Sequence, residues 1–169
     1  MPVVVSDTSP LRYLILIGFA ERLRSLYGRI LVPEEVAHEL QAERTPPVVR
    51  EWTLKAPDWV EFVSRPDMTA DSFDAESIGD TLHLGETAVL RLALSRKVDR
   101  ILMDDRAGAT VAQRLGFAVT GTLGVLAACA ERDWIDLRDA VSRLGQTNFR
   151  AHPNLIREML AADAARRNR

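Results

Sequence analysis

Short apolar runs alternate with segments of helical periodicity through the first 131 residues. Val3-Val4-Val5 is a continuous β-branched run, the pattern of a strand covered on both faces in a parallel sheet. It stops at Ser6-Asp7-Thr8-Ser9-Pro10. Ser9 suits a helix N-cap and Pro10 a first helical position. A helix is therefore predicted, with Leu11, Leu14, Ile15 and Ile17 as its apolar stripe and Gly18 as its break. Residues 19–27 form a second helical piece stopped by Gly28. Ile30-Leu31-Val32 reads as another strand, and Pro33 opens a helix over 34–42 that places Val36 and Leu40 on one face. Pro46-Pro47 divides this from a helix over 48–55, and residues 59–63 read as a strand.

Residues 64–81 are polar and turn-rich, a length at which a loop in a compact domain is often functional or mobile. A helix follows over 85–95, then a strand over 100–103 that ends at Asp104-Asp105. The pattern continues with a helix over 106–115 closed by Gly116, a strand over 117–120 and a helix over 123–131. Two further helices are predicted, over 137–144 and 154–166. Such alternation is that of a wound α/β fold with a central parallel sheet. The expected organisation is a sheet domain over 1–135, with residues 136–169 as a C-terminal helical extension of the same domain.

Composition narrows the class. The chain has 169 residues, 47% hydrophobic and 27% charged, which excludes disordered and collagen-like architectures. Its one cysteine, Cys129, excludes an internal disulfide and a cysteine-based zinc site. Cys129 lies in an apolar helical run and is expected in the core. No apolar run approaches the ~18 residues of a membrane span. The first residues lack the basic region of a secretory signal, so the cytoplasm is the expected compartment. The net charge of −2 weighs, at first sight, against a nucleic-acid partner.

Two strand ends carry carboxylates: Asp7 after the first strand and Asp104-Asp105 after the fourth. Ligands of open parallel sheets bind beyond the C-terminal strand ends, and right-handed crossovers bring those ends to one edge. Carboxylates that converge there repel unless they share a proton or bind a cation. Oxygen-only donors favour hard ions such as Mg²⁺ or Mn²⁺. The competing reading makes each aspartate a helix cap. Other chemistries lack their residues. There is no phosphate-binding glycine loop, no Gly-x-Ser-x-Gly elbow, and no metal-ligand spacing among His38, His83 and His152. Asp7-Thr8-Ser9 lacks the second aspartate of an aspartyl-phosphatase loop, and Arg166-Arg167-Asn168-Arg169 reads as a solvated tail.

The stretch Val4-Val5-Ser6-Asp7-Thr8-Ser9-Pro10-Leu11 resembles the opening of a PIN-domain protein of the branch related to VapC toxins. Val32-Pro33-Glu34-Glu35-Val36-Ala37-His38-Glu39-Leu40, Leu84-Gly85-Glu86-Thr87-Ala88-Val89, Leu102-Met103-Asp104-Asp105-Arg106 and Val119-Thr120-Gly121-Thr122-Leu123-Gly124-Val125-Leu126 agree in order, as does Asn148-Phe149-Arg150 before the last helix. The resemblance implies a three-layer α/β/α PIN-like fold and metal-dependent RNA cleavage with Mg²⁺ or Mn²⁺. It implies catalytic acids at Asp7, Glu39, Glu86 and one of Asp104 and Asp105, with Asp7, Glu86 and Asp104 or Asp105 as metal ligands. Strand register favours Asp104. The family spacing after a strand-end threonine favours Asp105, although Met103 occupies the threonine place. Thr8, Ser9, Thr120 or Thr122 would then supply the missing hydroxyl, and Arg106 a phosphate contact. The resemblance further implies an RNA substrate, a small antitoxin partner and a homodimer. The alternative is a catalytically silent PIN-like binding module.

This changes the meaning of the net charge. Four acids gathered in one site leave 20 of the 24 acidic residues facing 22 basic ones elsewhere. Acidity concentrated in a cleft is compatible with RNA once cations are bound there, and it predicts weak RNA binding without them.

Overall fold

The computed structural model describes residues 1–64 and 82–169. The expected irregular loop falls, apart from Ser64, outside the described residues. Five strands form one all-parallel sheet: β1 (Val4–Ser6), β2 (Ile30–Pro33), β3 (Val60–Val63), β4 (Arg100–Leu102) and β5 (Ala118–Thr120), in the order β3-β2-β1-β4-β5. Val4, Val5, Ile30, Val32 and Ile101 are fully buried, as continuous apolar strands covered on both faces require.

Among the described residues the helices are α1 (Thr8–Leu16), α2 (Glu21–Tyr27), α3 (Glu34–Gln41), α4 (Pro47–Leu54), α5 (Leu84–Arg96), α6 (Arg106–Arg114), α7 (Thr122–Glu131), α8 (Leu137–Gly145) and α9 (Pro153–Arg167). α3 packs on α4 and α5, while α7 packs on α2, α8 and α9. The result is the three-layer α/β/α arrangement expected from the alternation. Gly28, at φ +77°, ends α2 in a conformation that other residues rarely adopt.

The chain runs β1, β2, β3 outward in one direction and then returns to β4 and β5 on the other side of β1. The strand order therefore reverses between β1 and β4, the position at which such sheets open a ligand crevice. Ser6 is in register with Leu102. The Asp7 amide donates to the Leu102 carbonyl at 2.8 Å, so sheet pairing continues to residue 7. This moves the start of α1. The predicted cap at Ser9 is incorrect: the helix begins at Thr8, and Asp7 holds the N-cap position with extended backbone.

The C-terminal helices are tied to the rest of the molecule by arginines. Arg166 donates to the Ala130 carbonyl and to Asp133, and Arg167 to the Ile135 carbonyl. Tyr13 of α1 donates to Asn148 Oδ1 at 2.9 Å and meets the Phe149 ring edge-on, with centroids 5.0 Å apart. The segment between α8 and α9 thus lies against the start of the sheet domain. Cys129 is buried in the core as expected.

Candidate active site

A cleft of about 810 Å³ opens over the β1/β4 switch point, and Asp7, Glu39, Glu86, Asp104 and Asp105 all line it. The two strand-end acids are placed by sheet register. Glu39 arrives from the last turn of α3 and Glu86 from the first turn of α5, and these two helices pack on each other.

Asp7 is 6% exposed and makes no side-chain cap hydrogen bond, although it occupies the cap position. Capping therefore does not account for its carboxylate. Burial pushes Asp7 up to about 7. The adjacent Thr8 amide opposes the rise, while the charges of Glu86, Glu39 and Asp104 add to it. Burial also raises Glu86 and Asp104.

The other acids are held by named partners. Asp104 Oδ1 accepts from the Thr122 amide at 2.7 Å, and its Oδ2 accepts from the Thr122 hydroxyl at 2.6 Å. Glu86 accepts from the His83 amide at 3.0 Å, and Glu39 accepts from the Thr8 hydroxyl. Asp105 caps α6 by accepting from the Gly108 amide at 2.8 Å. Of the adjacent pair, Asp105 performs the capping and Asp104 does not, yet both face the cleft.

Two glycines allow the acids to sit where they do. A Cβ at Gly85 would lie 2.5 Å from Glu39 Oε1, and one at Gly121 would lie 2.7 Å from Asp104 Oδ1. A family profile described as a PIN domain matches residues 3–164. The chain belongs to the PIN-domain family. No curated protein matches it.

PIN domains are generally nucleases and typically use divalent metal ions. The donor set of this PIN domain suits such an ion, being all carboxylate oxygen. A buried Asp7 repelled by its neighbours is also a site whose electrostatics a cation relieves. Among the described residues, however, no group of three or more His, Cys, Asp or Glu side chains is already gathered to hold an ion. The acids line the cleft without being gathered around one point. Thr8 and the His83 amide hold Glu39 and Glu86 in their present positions.

The remaining expected residues divide. Thr8 and Ser9 line the cleft, and Thr122 holds Asp104, so Thr122 supplies a hydroxyl at a strand-end acid where Met103 lacks one. Thr120 does not line the cleft: its hydroxyl accepts from Arg100 Nη1 at 2.5 Å. Arg106 lines an adjoining groove instead of the acidic cleft. β5 is an edge strand, and Thr120, at its last position, points toward Arg100 of the neighbouring strand.

Tyr13, His83, Leu84, Asn148 and Phe149 also line the cleft of this PIN domain and are not among the site residues expected from the sequence. Arg150, beside them, lines both the cleft and the groove. Asn148-Phe149-Arg150 was a visible motif, but only the contacts with Tyr13 bring it to the site, across 135 residues of sequence.

Proposed function

We propose that this PIN domain is a divalent-metal-dependent endoribonuclease, acting in the cytoplasm as the toxin of a VapBC-like pair. The observation that carries the reading is the meeting of five carboxylates in one cleft at the strand-order reversal, with a buried Asp7 held near 7. Asp7 and Asp104 from adjacent strand ends, with Glu86 and Asp105, would hold Mg²⁺ or Mn²⁺, and Glu39 would complete the acidic wall. When bound, such an ion makes water a better nucleophile at neutral pH and offsets charge developing on a phosphodiester.

The chain's own residues supply the rest. Burial of Asp7 lowers the local polarity, which strengthens every charge interaction in the cleft. Thr122 fixes the Asp104 carboxylate through both oxygens. Glu86 and Glu39 reach the cleft from helices that pack together, so a shift of either helix moves a carboxylate. We read residues 1–135 and 136–169 as one functional unit, because residues 148–150 form a wall of the cleft. A small antitoxin and a second copy of the chain are the partners this reading entails.

The competing reading is a silent binding module, and the ungathered acids are the observation in its favour. Five acids around one cleft, including a buried one that costs stability when charged, favour the enzyme. Purified protein incubated with RNA and Mn²⁺ or Mg²⁺ decides between them. Cleavage that EDTA and Asp7→Asn each abolish supports the nuclease. Cleavage that survives both treatments, or its absence with either ion, sinks that reading.

A further inference from the structure

The acidic cleft shares a wall with a second groove of about 500 Å³, and Asp104, Phe149 and Arg150 line both. The charge changes across that wall. The cleft carries five carboxylates, whereas the groove carries one, Asp104, together with Arg106 and Arg150. Neither arginine forms an ion pair among the described residues. Both are exposed. Among the described residues Arg150 makes one side-chain hydrogen bond, at 3.3 Å to the neighbouring Phe149 carbonyl, which leaves its charge without a carboxylate partner there. Phe149 is half-buried at the boundary and is braced edge-on by Tyr13. Leu155, on the first turn of α9, adds an exposed apolar wall.

We propose that this groove seats the nucleotides flanking one side of the scissile phosphate of an unpaired RNA strand. Arg106 and Arg150 contact backbone phosphates, and Phe149 and Leu155 pack against bases. The inference rests on the nuclease reading and adds to it a second binding region. Three physical points carry it. A polyanion crossing the acidic cleft gains affinity only where uncompensated cations lie along its continuation, and the groove provides two such cations. Guanidinium groups bind phosphate through paired donors. Unstacked bases find a sequence-tolerant partner in an aromatic ring, which a duplex does not offer.

The test compares a dinucleotide with a 12-residue unstructured RNA containing the same step, using full-length protein with Mn²⁺. Wild type is expected to show a kcat/KM at least tenfold higher on the 12-mer. In the Arg106→Ala/Arg150→Ala double variant, that length advantage should fall to near unity. Binding of the 12-mer to the cleavage-deficient Asp7→Asn protein should lose about 0.7 per arginine from the slope of log K against log salt. Thermal melting of the double variant verifies that it folds. An unchanged length advantage and salt slope overturn the groove and leave the nuclease reading standing. Failure of wild type to cleave either RNA overturns both. Restoration of the length advantage by Arg106→Lys/Arg150→Lys supports phosphate contact. If the groove instead takes an acidic protein segment, the double variant loses that partner while its length advantage is untouched, which also overturns the proposal.

Discussion

Gly85, in the first turn of α5, stands so close to Glu39 that a Cβ there would lie 2.5 Å from the carboxylate oxygen Oε1. The obstacle is the free end of a flexible side chain, so Gly85→Ala should move Glu39 without disturbing the fold. Alanine is also the better helix former by up to ~1 kcal/mol. The variant is expected to melt within a few degrees of wild type while cleaving RNA at least tenfold more slowly. Parallel melting and cleavage assays check this, and unaltered cleavage would remove Glu39 from the site.

Gly121→Ala should behave differently. Its Cβ would lie 2.7 Å from Asp104 Oδ1, and Asp104 cannot swing aside without breaking both bonds from Thr122. Stability and cleavage should fall together, the former by about 1–3 kcal/mol, the cost of leaving a buried polar group unsatisfied. Urea titration measures that loss against the near-neutral Gly85→Ala.

Asp7 contributes to the pH dependence of the metal-free fold, in the same direction as Glu86 and Asp104. Its pKa is about 7 folded against an ordinary 3.8. The folded state thus binds the proton more tightly than the unfolded chain does. The stability that this protonation contributes is fully present below about 3.8 and is lost as pH rises through about 7. Asp7→Asn removes the ionisation. In EDTA the variant should be more stable than wild type at pH 8, by a few kcal/mol at the order of magnitude, and the gap should close near pH 4. Equal stability at pH 8 would contradict the burial argument. The same variant should be inactive, so stability and activity move in opposite directions.

Thr122→Val deletes the hydroxyl that Asp104 Oδ2 accepts from and leaves the amide that Oδ1 accepts from. That hydroxyl holds the Asp104 pKa down against burial, so its loss should raise the pKa further. Outer hydrogen bonds of this kind typically govern 10–100-fold in metal affinity. Calorimetric Mn²⁺ titration should show a loss in that range, with Thr122→Ser restoring most of it.

Metal removal should separate binding from folding. With EDTA the chain keeps its fold, because the core is apolar and Asp7 takes up a proton more readily than an ordinary aspartate. RNA binding should weaken sharply, since five carboxylates line the cleft a phosphate must enter. Adding Mn²⁺ should restore binding and raise the melting temperature in proportion to occupancy. Tight RNA binding in EDTA would place the interface elsewhere on the surface.

The sequence by itself determined the parallel α/β fold, because uninterrupted apolar runs such as Val4-Val5 and Ile30-Leu31-Val32 suit strands covered on both faces, although Val3, expected in the first strand, precedes β1 and is exposed. It also located Asp7 and Asp104-Asp105 at strand ends, since local pattern alone sets where a strand stops. The tertiary structure decided the rest. Glu39 and Glu86 look like ordinary solvated and dipole-favoured helix acids until α3 and α5 pack together. Asp104 and Asp105 are adjacent in sequence, and only the long-range bond from Thr122 and the local cap to Gly108 separate their tasks. Arg106 and Thr120 stood next to predicted site residues in sequence, yet side-chain direction sent one into a groove and the other toward Arg100. Tyr13 and Asn148 meet across 135 residues of sequence, and no periodicity in the sequence encodes such a contact, because it depends on where α1 and the segment between α8 and α9 come to rest.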